Sequence, residues 1–235
     1  MRRLLVFPLL LSAAFLRANE AAITVHLMTS VPSPQQVGTP VGLTAMVGTE
    51  TRSMLAYQYS VSVNGGPFRI VRDFSQDYLF AWTPQLFEQT ATLRVTVRNN
   101  DTKATATTEV PFQIVPRVKG KQAVVTPTSH PLVAIFSAPP CAAGSQFRVA
   151  FQAVGEEALS RTPSQPCRDS ISNNVYVAGM RPDTEYRMHS ELITGAETAS
   201  GDWLAFHTGM LDGNFPPVAV LTPETSETPP PEPVI

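Results

Sequence analysis

Two of the chain's four histidines, His189 and His207, lie near its C-terminal end in neighbouring segments that alternate apolar and polar residues. A hairpin centred near Thr198 would place the two imidazoles opposite each other on its outer face. Imidazole binds zinc well, and Glu191 is a conceivable third ligand, but protein zinc sites use three or four ligands. The pair defines a metal-site hypothesis. Two exposed polar positions on a solvated sheet face are the simpler interpretation, which we favour.

A second set of polar side chains surrounds the aromatic segment YLFAWTP, residues 78–84. The carboxylates of this set are Asp73, Asp77 and Glu88. The aromatic rings have the character of a sugar- or peptide-binding surface. A β-sandwich needs large aromatic side chains between its sheets, however, so we expect Phe80 and Trp82 in the core. The sequence contains no Gly-rich phosphate loop, no GxSxG elbow and no HExxH helix. We therefore expect no catalytic residue and no cofactor in this chain.

The first 22 residues, MRRLLVFPLLLSAAFLRANEAA, have the pattern of a secretory signal peptide. Two arginines precede an apolar run over residues 4–16, and small residues follow, so we expect cleavage after Ala18. A transmembrane anchor is the alternative, but the run is shorter than the roughly 20 residues that span a bilayer, and Pro8 interrupts it. The sequence thus predicts an exported protein, periplasmic or extracellular, that does not span the membrane.

Export changes the interpretation of the two cysteines, Cys141 and Cys167. An oxidising compartment allows them to form a disulfide, and their proline-flanked positions in SAPPCAAG and SQPCRDS suit the ends of loops. A catalytic thiol is the alternative, but no Cys-His motif flanks either residue. We favour the disulfide.

Composition limits the classes of function. The chain of 235 residues is 43% hydrophobic and 15% charged, which gives enough apolar surface for a core and too little charge for general disorder. The formal net charge of −2 offers no basic surface to phosphates, so we expect no nucleic-acid partner. The 22 prolines are spread along the chain and disfavour helices.

Short alternating segments separated by turn residues predict an all-β fold. In YQYSVSVNGGPFRI the strand over residues 57–63 meets a tight Asn64-Gly65-Gly66 turn, and LRVTVRNNDTKATATTEVPF turns from Asn99 in the same way. The strands of this region are predicted to place one apolar face inward: Val41, Leu43, Ala45, Tyr57, Tyr59, Val61, Val63, Leu93, Val95 and Val97.

The strands divide into two consecutive immunoglobulin-like β-sandwiches. We expect the first over residues 23–116, a linker over residues 117–122 and the second over residues 123–213. Residues 214–235 are rich in Pro, Thr and Glu and cannot bury enough apolar surface to fold alone, so we expect a linker or tail there. Apolar residues return in the final PEPVI. We expect a further domain to start at that point, and a disordered tail is the alternative.

The second sandwich resembles a fibronectin type III domain in the stretch MRPDTEY, residues 180–186. In that family an apolar residue, a proline, a threonine and a tyrosine form the corner before the sixth strand, and the tyrosine hydroxyl bonds back to the backbone. The residues that match this structural corner are Pro182, Thr184 and Tyr186. The residues implied to pack inward are Tyr186, Met188 and Leu192, and those implied to face water are Arg187, His189 and Glu191. The family's tryptophan on the second strand is absent, and QFRVAFQ stands there instead.

A wider resemblance covers residues 124–235. The chain presents, in order, VVTPTSHPLVAIFSAPPCAAGSQFRVAFQ, TPSQPC, NNVYVAGMRPDTEYRM, FHTG and a proline-rich end. This order is similar to the N-terminal region of exported bacterial arylsulfotransferases. In that family a β-propeller follows, and its histidine and arginine residues transfer the sulfuryl group between phenols. None of these catalytic residues maps onto a position of this sequence.

The resemblance implies a non-catalytic N-terminal module of a secreted arylsulfotransferase-like protein, whose partner is the catalytic propeller that it positions or supports. The parent protein would then be an aryl sulfotransferase, although this chain alone would not be an enzyme. The alternative is a free-standing secreted binding or adhesion protein that recognises a glycan or another protein through loops at the ends of the sandwiches.

Overall fold

The computed structural model describes residues 23–48, 55–84, 87–211 and 213. The predicted signal peptide, residues 1–22, and the predicted tail, residues 214–235, lie outside the described residues. Contacts divide the chain into two compact units, Met1–Arg117 and Val118–Ile235, which we call unit 1 and unit 2. The described residues form strands and turns, and none of them belongs to a helix that could cross a membrane.

Unit 1 is a sandwich of two β-sheets. Its strands are β1 (Val25–Thr29), β2 (Gln35–Gln36), β3 (Val41–Val47), β4 (Leu55–Val63), β5 (Arg69–Ser75), β6 (Leu79–Trp82), β7 (Gln89–Asn99) and β8 (Thr105–Val115). One sheet has the order β1-β3-β6 and the other has the order β2-β8-β7-β4-β5. Neighbouring strands pair antiparallel except β2 and β8, which pair parallel.

Two turns set the register of the larger sheet. Between β4 and β5, Asn64 (φ 50°) and Gly65 (φ 73°) adopt the left-handed conformation that a tight hairpin turn requires. The Asn64 side-chain oxygen also accepts a hydrogen bond from the Thr90 backbone N–H at 2.9 Å. Between β7 and β8, the Asn99 side-chain oxygen accepts a hydrogen bond from the Asp101 backbone N–H at 2.9 Å. Both hairpins therefore turn where the sequence predicts.

The predicted inward positions of unit 1 are confirmed, because they are 4% exposed or less, apart from the partly buried Val63. Trp82 is also in the core as predicted, and its ring meets Phe112 edge to face at a centroid distance of 6.1 Å. The Phe80 ring stacks on Tyr59 at 5.3 Å. Burial raises the pKa of the Tyr59 hydroxyl to about 12. These rings fill the space between the two sheets.

Unit 2 is a second sandwich of two sheets. Its strands are β9 (Val124–Pro127), β10 (Ala134–Ala138), β11 (Gln146–Ala153), β12 (Ser160–Arg161), β13 (Gln165–Pro166), β14 (Asn173–Val177), β15 (Glu185–Thr194), β16 (Glu197–Ser200) and β17 (Leu204–His207). One sheet has the order β14-β10-β9. The other has the order β12-β11-β15-β16, with β13 also paired to β11 and β17 to β15. The predicted fold class, two consecutive immunoglobulin or fibronectin type III-like β-sandwiches, is confirmed.

The core of unit 2 closes without the family's tryptophan. Phe147, Val149 and Phe151 on β11 are all buried. The Phe147 ring lies 6.4 Å from the Phe136 ring, and the Phe151 ring lies 6.3 Å from the Tyr186 ring. Two phenylalanines on one strand therefore supply the large apolar surface that a single tryptophan supplies in the family.

Cys141 and Cys167 form a disulfide, with their Cα atoms 5.7 Å apart. The Cys141 backbone N–H donates to the Arg168 carbonyl, and the Cys167 N–H donates to the Ser145 carbonyl, each at 2.9 Å. The bridge thus joins the loop after β10 to the end of β13. The predicted disulfide is confirmed, and the alternative of a catalytic thiol is wrong because the two sulfur atoms are bonded to each other.

We expect Cys141→Ser to lower the free energy of unfolding of unit 2 by about 3–4 kcal/mol under oxidising conditions, because the cross-link restricts the unfolded chain. Denaturant unfolding with and without dithiothreitol measures the change. In the reductant, the variant and the wild type should unfold at the same denaturant concentration. A variant that stays less stable than the wild type in reductant would show that the serine itself, rather than the lost bridge, causes the loss.

Candidate functional site

The corner before β15 is held by hydrogen bonds to its own backbone. The Tyr186 hydroxyl accepts a hydrogen bond from the Arg181 backbone N–H at 2.9 Å, and the Thr184 hydroxyl donates to the Pro182 carbonyl at 2.8 Å. Asp183 lies between them with a φ of 46°, a left-handed conformation that Asp tolerates better than most residues. The bond to Tyr186 is the hydroxyl-to-backbone contact that the resemblance implies.

Thr208 closes the same corner from the end of β17. It is 1% exposed. Its hydroxyl donates to the Arg181 carbonyl at 2.6 Å and accepts a hydrogen bond from the Thr184 N–H at 2.9 Å. The Asp183 N–H donates to the Gly209 carbonyl at 3.1 Å. The sequence does not single out Thr208, because a threonine just after a strand has no distinctive spacing of its own.

The structure separates His189 from His207. The pairing of β15 with β17 places His207 opposite Glu185. His189 therefore lies four positions further along β15, about 13 Å away at a rise of about 3.3 Å per residue. The predicted placement of the two histidines opposite each other is wrong. The chain reverses at Gly195 (φ 60°) instead of near Thr198, which changes the register of the hairpin.

The outer face of the larger sheet carries a buried carboxylate, Glu191, which is 4% exposed. Its Oε2 atom accepts hydrogen bonds from the Arg148 Nε at 2.5 Å and from the Arg161 Nε at 3.1 Å. Burial alone would raise the pKa of Glu191, but the hydrogen bonds from Arg161 and Arg148 outweigh it and hold the pKa below its ordinary value. The prediction that Glu191 faces water is wrong, because arginine side chains from β11 and β12 cover it.

This pairing bears directly on the metal hypothesis. Two guanidinium groups already hold the Glu191 carboxylate, and their positive charge opposes a cation at the same place. His207 is 60% exposed at its side chain, and its Nε2 lies 3.6 Å from the Asp183 Oδ1. Across the part of the chain that the structure describes, no group of three or more His, Cys, Asp or Glu side chains is placed to hold a metal ion. The described residues therefore give a metal site no support.

His189 is also buried, contrary to the prediction that it faces water. Its ring packs against Trp203 with the ring centroids 4.1 Å apart, and the Arg187 guanidinium lies 4.8 Å from the centre of the Trp203 ring. Trp203 itself is 45% exposed. The His189 Nδ1 atom is buried and has no hydrogen-bond partner within the described residues. The tryptophan ring just before β17 thus packs on the histidine and is partly exposed to solvent.

The residues on this outer face, which we call the arginine–tryptophan face, are Arg148, Arg161, Arg187, His189, Glu191 and Trp203. Chemically the face is suited to recognition, since guanidinium groups outnumber the single carboxylate and an exposed indole offers a stacking surface. The sequence reasoning missed Arg148, Arg161 and Trp203 as members. Arg148 can be identified from the strand register, because this register places it directly opposite Glu191.

The carboxylates near YLFAWTP stabilise the edge of unit 1. The Asp73 Oδ1 accepts hydrogen bonds from the Gln58 side chain at 3.0 Å and from the Phe74 N–H at 2.8 Å. These two bonds, the first above all, lower the pKa of Asp73. Asp77 forms an ion pair with Arg72. Both aspartates therefore hold β5 and the turn that follows it.

No protein-family model matches the chain, and no curated protein matches it. Among solved structures it is similar to the FN1–FN3 domains of chicken CNTN1, at 10% identity over 76% of this chain and 68% of that one, with a TM-score of 0.33. It is also similar to a segment of two fibronectin type III domains from chicken tenascin, at 14% identity over 79% of this chain and 98% of that one, with a TM-score of 0.31. Similarity this low carries no information on function, and the fold assignment rests on the sheets themselves.

We expect Tyr186→Phe to lower the free energy of unfolding of unit 2 by about 1–3 kcal/mol, because it leaves the Arg181 N–H without its acceptor. Thermal or denaturant unfolding measures the change. Tyr176→Phe on β14 is the matched control, since Tyr176 is 39% exposed, and its effect should stay within about 0.5 kcal/mol. Equal stability of the two variants would contradict a stabilising role for the corner hydroxyl.

We expect Glu191→Gln to lower the free energy of unfolding of unit 2 by about 1–3 kcal/mol at neutral pH, because two arginines lose a charged acceptor. The folded-state pKa of Glu191 lies below the ordinary value of 4.5. The contribution of the carboxylate is therefore fully present above pH 4.5 and declines as the pH falls through the folded-state pKa. The stability gap between wild type and variant should close in acid.

Urea unfolding of both proteins, repeated from neutral pH down to about pH 3, tests this pH dependence. Glu109→Gln is the control, because Glu109 pairs with Arg94 in unit 1 but its side chain is 44% exposed. That substitution should change stability by less than about 1 kcal/mol at every pH. A Glu191→Gln deficit that persists unchanged into acid would mean that the charge of Glu191 is not what stabilises the fold.

Proposed function

We propose that this chain is a non-catalytic module of two β-sandwiches in a secreted arylsulfotransferase-like protein, where it positions or supports a catalytic β-propeller. The non-catalytic part of the proposal rests on one observation. The side chains that could carry out chemistry are already engaged in structural contacts. The two cysteines are bonded to each other. The Glu191 carboxylate is held by two arginines, and the Tyr186 hydroxyl bonds to the backbone.

The family part of the proposal rests on the resemblance over residues 124–235. Two of the resembling segments, SAPPC and TPSQPC, are joined by the disulfide between Cys141 and Cys167. A third, MRPDTEY, forms the corner before β15. Disulfides persist in oxidising compartments, which supports an exported protein, periplasmic or extracellular. Because the catalytic residues of that family lie in its propeller, the resemblance assigns this chain the supporting role.

A binding role for the chain on its own is the second candidate. The exposed ring of Trp203 beside Arg187 favours it, because Trp and Arg are the residues most enriched in the energetic hot spots of protein interfaces. On this alternative the chain is a secreted adhesion or binding protein, and its partner is a protein or a glycan.

The intact mass of the exported protein in its source organism separates the two candidates. We expect this mass to exceed that of residues 19–235 by several hundred further residues. We also expect the natural product to transfer the sulfuryl group from 4-nitrophenyl sulfate to phenol, since the propeller supplies the catalytic residues.

The 235-residue chain alone is the control, and it should show no transfer above the uncatalysed rate. A natural product whose mass corresponds to a chain ending at Ile235 would refute the propeller proposal and leave the binding role. Transfer by the isolated chain would refute the non-catalytic assignment itself.

A further inference from the structure

Unit 1 contains a cavity lined by residues of β4, β5, β6 and β7 and of the turn that follows β4. The cavity has a volume of about 440 Å³, within the range of about 300–1,000 Å³ found for small-molecule sites. Six of the ten residues in its wall have apolar side chains: Val61, Val63, Pro67, Val71, Trp82 and Phe87. The volume and the lining suit a small organic ligand with an apolar group.

One polar side chain in this wall is buried and has no hydrogen-bond partner within the described part of the chain. Gln89, the first residue of β7, is 5% exposed, and neither its Oε1 nor its Nε2 has a hydrogen-bond partner among the described residues. A buried carboxamide that lacks partners destabilises a fold, so a position needed only for packing would favour an apolar side chain. The amide therefore points to a ligand that pairs with it. Because both atoms are shielded, Gln89 must rotate about its side-chain bonds to meet that ligand.

Arg69 adds a positive charge to the same cavity. It stands opposite Val61 in the pairing of β4 with β5, so the two side chains lie on the same face of the sheet, where Arg69 is exposed to solvent. Arg69 takes part in none of the ion pairs formed within the described residues. A charged side chain on an edge strand also discourages pairing with another chain. That role does not account for the Gln89 amide in the wall of the same cavity, whereas a ligand with an anionic end accounts for both.

We propose that this cavity binds a small N-acylated amino acid with an apolar side chain. The apolar side chain of the ligand packs against Trp82 and Val71. Its amide group, which carries one donor and one acceptor, pairs with the complementary donor and acceptor of the Gln89 carboxamide. Its carboxylate meets the Arg69 guanidinium. The apolar, amide and cationic groups of the wall thus each have one matching group in the ligand.

Titration of the Trp203→Phe protein with N-acetyl-L-leucine tests the proposal. The chain has two tryptophans, so this variant leaves Trp82 as the single indole fluorophore. We expect a saturable change in its emission. N-acetyl-L-leucinamide lacks the carboxylate, and 4-methylpentanoate lacks the amide, so each should bind about ten-fold or more weakly than N-acetyl-L-leucine.

Two further substitutions, each made in the Trp203→Phe protein, separate the contributions of Gln89 and Arg69 to ligand binding. Gln89→Leu should raise the melting temperature of unit 1 by about 4 °C or more, because it removes an unpaired buried group, while weakening N-acetyl-L-leucine binding about ten-fold or more. Arg69→Gln should leave the melting temperature nearly unchanged. It should also abolish the preference for the acid over the leucinamide.

The absence of a saturable change with N-acetyl-L-leucine would overturn the proposal, and so would equal binding of the three compounds. A lower melting temperature for Gln89→Leu would overturn it as well, because the amide would then be satisfied within the protein. If the Arg69→Gln variant still preferred N-acetyl-L-leucine over N-acetyl-L-leucinamide, Arg69 would not be the group that binds the carboxylate.

Discussion

Strand β15 is anchored at its start by the hydrogen bond that the Arg181 N–H donates to the Tyr186 hydroxyl. A shift of one residue in the register of this strand would move each of its side chains to the opposite face of the sheet. In the observed register, Tyr186 and Met188 lie in the core, while Glu191 lies on the outer face opposite Arg148. The core and the arginine–tryptophan face of unit 2 therefore depend on the same corner.

Both units set an arginine directly across from a glutamate on the neighbouring strand, with different energetic consequences. In unit 1 the pair is Arg94 and Glu109, and the Glu109 side chain is 44% exposed. Solvent screens such a pair, which contributes about 0–1 kcal/mol. In unit 2 the Glu191 side chain is 6% exposed, so its desolvation must be offset by closer and more numerous contacts. The second guanidinium, from Arg161 on β12, adds two contacts, at 3.2 and 3.1 Å, to the one from Arg148.

The sequence predicts the sandwiches and their cores well because side-chain direction in a strand repeats every two residues, and this is local information. It also limits the disulfide to one pairing, since the chain has two cysteines. The placement of His189 opposite His207 fails because it needs the position of the turn, which the left-handed Gly195 sets. The prediction that Glu191 faces water fails for another reason. Its cover comes from side chains such as Arg148, on strands distant in sequence, so it depends on long-range register that no local pattern contains.

Two buried polar side chains, Glu191 in unit 2 and Gln89 in unit 1, differ in how they are satisfied. Both carboxylate oxygens of Glu191 accept hydrogen bonds from arginine, whereas neither amide atom of Gln89 has a partner within the described residues. An unpaired buried amide costs about 1–3 kcal/mol, which is large against the roughly 5–15 kcal/mol that stabilises a whole domain. Substitution by an apolar side chain of similar size would remove that cost. Gln89 lines the same cavity as the Arg69 cation, and the ligand that we propose for this cavity would pair with both. The ligand proposed for unit 1 would offset this cost, whereas the Glu191 carboxylate of unit 2 is already paired within the protein.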